Sequence, residues 1–163
     1  MSKISSKVAE RFVNENIKKN HWNINKDKKS FDNLQNHLIN TTNMFNFFYK
    51  AISEVLDFHC PEGLIIADIG GGVGWTSSIL ASFPQIKKIY LIDPSTSRLE
   101  KAKLISDHYS LDNSKIILIK GEFLNFNLPE KVDVVILNGA FHHCFDRDVD
   151  ELLKNIRLNL NVP

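Results

Sequence analysis

The first 60 residues contain neither glycine nor proline. The two strongest punctuators of regular structure are missing there, so long helices are free to form. Cysteine is nearly absent as well. Cys60 and Cys144 stand far apart, with no metal-ligand spacing and no disulfide framework. No metal site is expected, and two free thiols suit a cytoplasmic chain. No apolar run reaches membrane-spanning length. The start, Met1 to Lys7, leads into charged residues and not into the apolar core of a signal peptide. An excess of one charge is lacking too: the formal net charge is +1, which argues against a strongly basic nucleic-acid binder but leaves room for a local patch. What is present is ordinary for a soluble domain. Hydrophobic residues make up 43% and charged ones 24% of 163 residues, enough for one domain with a real core.

Glycine is scarce but concentrated. Of seven glycines, four lie between positions 70 and 74. They follow Leu64-Ile-Ile-Ala-Asp-Ile69, an apolar run too short for a typical helix and bounded by Pro61, Gly63 and Gly70. That pattern predicts a strand buried on both faces, as in a parallel sheet. Gly70, Gly72 and Gly74 form a G-x-G-x-G turn, and Trp75 to Phe83 resumes as a helix that stops at Pro84. Strand, glycine turn and helix N-terminus make a cradle for a nucleotide cofactor. A dinucleotide fingerprint, G-x-G-x-x-G, places its third glycine at Trp75 or Ser77, so it fits poorly.

Residues 1–60 read as an N-terminal helical segment and 61–163 as a second, βα-patterned unit. A first amphipathic helix is expected near 3–19, from Ile4, Val8, Phe12 and Ile17. Asn20 to Ser30 reads as a polar loop around Trp22. Phe31, Leu34 and Leu38 suggest a short helix, and Thr41 or Thr42 is placed to cap a longer one ending near His59. The cluster Phe45, Phe47, Phe48 and Tyr49 either lines a pocket or packs against the sheet. From Leu64 onward strands are expected at 64–69, 88–92, 115–120 and 132–137, with helices near 74–83, 96–108 and 147–160. Ser95 or Thr96 can cap the middle helix. This order demands a parallel sheet with right-handed crossovers.

Ligands of open parallel sheets bind at the carboxyl ends of the strands. The first strand ends in the glycines. The second ends at Asp93-Pro94-Ser95, with Asp93 23 residues beyond Gly70; the third at Gly121-Glu122-Phe123; the fourth at Asn138-Gly-Ala-Phe-His142-His143. A carboxylate at the place of Asp93 accepts from both ribose hydroxyls in dinucleotide and adenosyl sites alike.

These four elements together, over about residues 64–145, resemble the class I S-adenosylmethionine-dependent methyltransferases. Asp68 to Gly74 resembles their first motif, acidic-x-G-x-G-x-G. The resemblance implies a three-layer, Rossmann-like α/β fold with strand order 3-2-1-4 and S-adenosylmethionine as cofactor. By it, Asp68 steadies the loop of Gly70, Gly71, Gly72 and Gly74. Asp93, followed by Pro94, holds the ribose. Glu122 takes the adenine amino group, with the Phe123 backbone near the ring. The Asn138 main chain faces the methionine end, and His142 and His143 line the acceptor pocket.

The departures bear on the acceptor. The segment Asn138-Gly139-Ala140-Phe141 lacks the two prolines found in enzymes of this fold that methylate nucleobase or glutamine nitrogens. Cys144 follows His143 and no proline, so cytosine C5 chemistry is not supported. A small-molecule acceptor is the expectation, with the N-terminal helices capping the site and contributing to its pocket. The rival readings are an NAD(P)-dependent oxidoreductase and a non-catalytic S-adenosylmethionine-binding or interaction module. Members of the family generally continue beyond the fourth strand. The later strands are expected to be missing here, leaving the fourth as an edge that another copy or a partner would cover.

Overall fold

In the computed structural model of this chain, residues 22–59, 62–109 and 112–161 are described. The helix expected near 3–19 lies outside the described residues, as does Cys60. Helix α1 spans Lys28–Asn36 and runs into a π-helical turn, His37–Thr41; α2 spans Met44–His59. Then come β1 (Leu64–Ile69), α3 (Trp75–Leu80), β2 (Ile86–Asp93), α4 (Thr96–Tyr109), β3 (Ile116–Lys120), β4 (Val134–Ile136) and α5 (Val149–Asn159).

The four strands form one parallel sheet in the order β3-β2-β1-β4. This is the expected topology. β1 lies at the centre because it carries the densest apolar run, and its side chains feed two layers. Leu64 and Ile66 share a core with α2, α3 and α4, through Phe48, Leu56, Trp75, Ile79 and Ile105. Ala67 and Ile69 face the opposite layer, where Tyr90, Ile92, Val132 and α5's Leu152 and Ile156 are buried. Alternation along one strand thus builds a three-layer sandwich.

Local chemistry sets the boundaries. Asp27 caps α1, its side chain accepting from the Ser30 N–H at 2.9 Å. The helix therefore begins inside the stretch expected to be loop. Neither Thr41 nor Thr42 caps α2. The Thr42 hydroxyl instead donates back to the His37 carbonyl at 2.8 Å and closes the π turn. Asn43 then takes a positive φ of 55°, and α2 starts after it. Ser95 does cap α4, accepting from the Arg98 N–H at 3.2 Å. Helix α3 is shorter than expected. Just beyond its end, the Lys115 ammonium donates to the Ala81 and Phe83 carbonyls at 3.2 Å each.

The fourth strand is also shorter than expected and lies at the sheet edge. Ahead of it, Asp133 meets Ile65 twice: its N–H donates to the Ile65 carbonyl and its carboxylate accepts from the Ile65 N–H, at 2.8 Å each. At that end the chain returns alongside. Val132 N–H donates to the Asn159 carbonyl at 2.9 Å, and Asn161 N–H donates to the Val132 carbonyl at 2.8 Å, a parallel bridge. Among the described residues no further strand pairs with the outer side of Val134–Ile136.

The described N-terminal helices are part of the core. Ile24, Phe31, Leu34, Leu38 and Phe48 are all buried in the same cluster as β1 and β2. Phe48 meets Trp75 edge-on at 5.5 Å, and Phe31 stacks on His108 of α4 at 4.0 Å. Of the aromatic cluster in α2, Phe48 and Tyr49 pack on Trp75 and Phe83, while Phe47 is exposed. Truncating a buried Phe leaves a cavity and costs about 3–5 kcal/mol. Phe48→Ala is expected to lower urea-unfolding stability by that amount in a single transition shared by helix and sheet signals. A change below about 1 kcal/mol would show that α2 only rests on the sheet.

Candidate functional site

The glycine turn is built against the second strand. The Gly70 and Gly71 N–H groups donate to the Ile92 carbonyl at 2.7 and 3.2 Å. Gly72 N–H donates to the Asp93 carboxylate at 3.1 Å. The glycines serve different purposes. A Cβ on Gly71 would lie 2.9 Å from the Asp68 carboxylate and from Leu91, and one on Gly74 would lie 2.8 Å from Leu91 and 2.9 Å from Ala102. Those two let α3 and the loop press onto β2 and α4. A Cβ on Gly72 meets only the Gly70 carbonyl, at 3.9 Å, so this glycine opens onto free space with φ +59°. It is the point where a ligand can approach the main chain.

Two carboxylates flank the turn. Asp68 is wholly buried, and its Oδ2 accepts from the Thr76 hydroxyl at 2.5 Å and the Ser77 hydroxyl at 2.7 Å. It ties the first turn of α3 to the end of β1. Its Oδ1 is buried with no hydrogen-bond partner among the described residues. Burial pushes the Asp68 carboxyl above the usual range against those two hydroxyls, and the Asp93 charge adds to the shift. Asp93 is 1% exposed at the end of β2. Its Oδ1 accepts from the Ser95 N–H at 2.9 Å, and Arg98 Nη1 stands 3.6 Å from its Oδ2. Burial raises the Asp93 carboxyl too, opposed by the Ser95 amide, the Arg98 guanidinium and the Gly72 amide.

The other strand ends close around the turn. Half-buried Pro94 leads from Asp93 to the cap of α4. After β3, Glu122 and Asn125 exchange backbone hydrogen bonds at 3.2 and 3.0 Å in a tight turn that leaves Glu122 and Phe123 half-buried. A Cβ on Gly70 would lie 2.6 Å from Ala140 Cβ and 3.4 Å from the Phe123 ring, so the third and fourth strand ends converge on that glycine. Asn138 is half-buried at the tip of β4, beside Gly139 with φ +65°. Phe141–His143 make a single 3-10 turn that sets the two imidazoles 3.9 Å apart, tilted at 47°. His142 is exposed. His143 is half-buried and held below the usual histidine range by burial first, then by His142 and Arg98.

Residues beyond the motifs take part. Arg98, Ala140, Thr76 and Ser77 were not singled out from the sequence. Arg98 did carry a signal: a cation in the first turn of a helix opposes the helix dipole and calls for an anionic partner.

Asp68 allows a test of sign. A carboxyl whose pKa is raised on folding binds more protons folded than unfolded, so it destabilises the fold as pH climbs from its unfolded value. Asp68→Asn keeps an oxygen for Thr76 and Ser77 but carries no charge. The variant is expected to gain stability over the wild type as pH rises from about 4 to about 7. A difference in melting temperature that does not change with pH would show that no buried charge is at stake.

Known proteins place this geometry. The Methyltransferase domain family matches residues 67–162. The chain is 33% identical over 96 residues to the probable S-adenosylmethionine-dependent methyltransferase CRG1 of Saccharomyces cerevisiae, covering 58% of this chain and 32% of that one. It is 33% identical over 90 residues to a probable histone-arginine methyltransferase CARM1 of Oryza sativa, covering 55% of this chain and 16% of that one. A putative S-adenosylmethionine-dependent methyltransferase of Methanococcus maripaludis superposes with a TM-score of 0.62 at 22% identity, over 84% of this chain and 60% of that one. The chain thus spans about a third or less of the length of these two curated relatives. With the acidic glycine turn, the buried acid after β2 and the 3-2-1-4 sheet, the match is conclusive: this chain belongs to the class I S-adenosylmethionine-dependent methyltransferase domain family.

Proposed function

We propose that this domain transfers the methyl group of S-adenosylmethionine to a small-molecule acceptor, in the cytoplasm. The observation that carries the reading is the Gly72 amide bound to the buried Asp93 carboxylate beside an open Cβ direction. In the proposal Asp93 takes the ribose hydroxyls and Glu122 the adenine amino group. The Phe123 backbone lies along the adenine, and the Asn138 main chain meets the methionine end. The helices ahead of β1 cap the acceptor side. No carboxylate stands between Asn138 and Phe145, and Arg98 lies close enough to His143 to hold its pKa down. An arginine side chain, cationic and needing anions to receive it, fits such a wall poorly. A neutral or anionic small acceptor fits it better.

Transfer from a sulfonium needs alignment of acceptor and methyl more than acid–base help. His142 and His143 shape the acceptor wall. His143, kept neutral by burial, is also suited to receive a proton from an acceptor hydroxyl.

Two measurements test the reading. Asp93→Ala removes a charge-assisted hydrogen bond worth roughly 1.5–3 kcal/mol, so S-adenosylhomocysteine should bind about 10- to 150-fold more weakly by calorimetry. Binding of NADPH with indifference to S-adenosylhomocysteine would refute the assignment. With methyl-labelled S-adenosylmethionine and a cell extract, label should pass into the small-molecule fraction. Label confined to protein would replace the proposed acceptor class.

A further inference from the structure

Arg98 stands where the placement of charge alone would not put it. It lies in the first turn of α4, where exposed N–H groups make the helix end positive and a cation costs stability. Its backbone N–H is spent on Ser95, on the carbonyl at 3.1 Å and the hydroxyl at 3.2 Å. Its side chain is only 22% exposed, unusual for an arginine on a helix surface, and reaches back to 3.6 Å from Asp93 Oδ2. That oxygen also takes the Gly72 N–H, so one carboxylate atom links glycine turn, strand end and guanidinium. The Arg98 charge is felt at Lys101 on one side and at His143 on the other. The guanidinium therefore lies at the end of β2, against the carboxylate that holds the glycine turn.

We infer that Arg98 is a latch on the cofactor site. In the ligand-free protein its guanidinium occupies the Asp93 carboxylate, and the ribose of the adenosyl cofactor must displace it to bind. This rests on the reading that Asp93 holds the ribose. The carboxylate is 1% exposed, and Arg98 is the charged side chain beside it. On binding, Asp93 exchanges a charged partner for neutral hydroxyls, and the guanidinium is released toward solvent and the His143 side. The latch weakens the ligand by the fraction of molecules in which it is closed: nine-tenths closed gives about a tenfold loss of affinity. It weakens the spent cofactor, S-adenosylhomocysteine, in the same way and so favours its release.

The test is a double-mutant cycle on the full 163-residue chain: wild type, Arg98→Met, Asp93→Ala and the pair, each titrated calorimetrically with S-adenosylhomocysteine and with adenosine. Arg98→Met is expected to tighten both ligands about tenfold in the wild-type background and to change nothing in the Asp93→Ala background. Unchanged or weaker binding in Arg98→Met overturns the latch, and so does an equal effect in both backgrounds. If Asp93→Ala weakens binding while Arg98→Met leaves it unaltered, the ribose assignment stands and the latch alone falls. Absence of binding in all four folded proteins removes the ribose assignment and the latch together. A second measurement needs no variant: the Arg98 Nη–H groups, whose Nη1 faces Asp93, should exchange slowly with solvent in the free protein and quickly once S-adenosylhomocysteine saturates it. The reverse order would also overturn the latch.

Discussion

Two carboxylates held out of water govern the site. Asp68 and Asp93 end neighbouring central strands, and each is buried almost completely. A buried carboxylate costs stability unless donors converge on it. Asp68 finds them inward, in the two hydroxyls that open α3. Asp93 finds them along the rim, in the amides of Gly72 and Ser95 and the guanidinium of Arg98. The glycine turn is the piece that both can reach. Gly71 has no side chain because Asp68 needs the space, and Gly72 has none because the loop amide must face Asp93 with nothing in front of it. One carboxylate is satisfied from within the core; the other draws its donors from the loop rim.

The division of labour across the sheet follows from that arrangement. Helices α1 to α4 share one face, so the loop that precedes α3 is braced from below by β2 and from the side by α4. The opposite face, with α5, buries Ala67, Ile69 and Ile92 and supplies the floor for the loops after β3 and β4. Phe123 and Ala140 reach Gly70 from there. The cradle is thus walled by elements from both layers, and its polar groups come from the strand ends and from the first turns of α3 and α4.

Much of this was legible in the sequence because its signals were strong and local. The run Leu64–Ile69 could only be a buried strand, and its bounds came out unchanged. The spacing of Asp93, Glu122 and Asn138 placed each at a strand end because parallel crossovers leave one geometry. Local competition was harder to read. Asp27 starts a helix inside a polar stretch, and Thr42 turns its hydroxyl backward to a carbonyl when a forward cap seemed open to it. Nothing in residue type alone decides between such hydrogen bonds. The shortened β4 has a similar origin, since the Ile65 N–H is taken by the Asp133 side chain and not by a backbone carbonyl. Arg98 was missed because its role depends on a contact across the fold with the end of β2, which periodicity does not report.

The order of the strands also sets a clock. β1 pairs with β2 across a short excursion, Ile66 beside Ile89, but with β4 only after a detour to Val134. Closing the longer loop, 68 residues as measured from Ile65 to Asp133, costs about 1 kcal/mol more entropy than the shorter one. Pairings of high sequence separation form late. The glycine turn can therefore settle against β2 while the fourth strand is still being searched for. Ala140 then seats last against Gly70, so the side of the cleft built on β2 matures before the side built by the loop after β4.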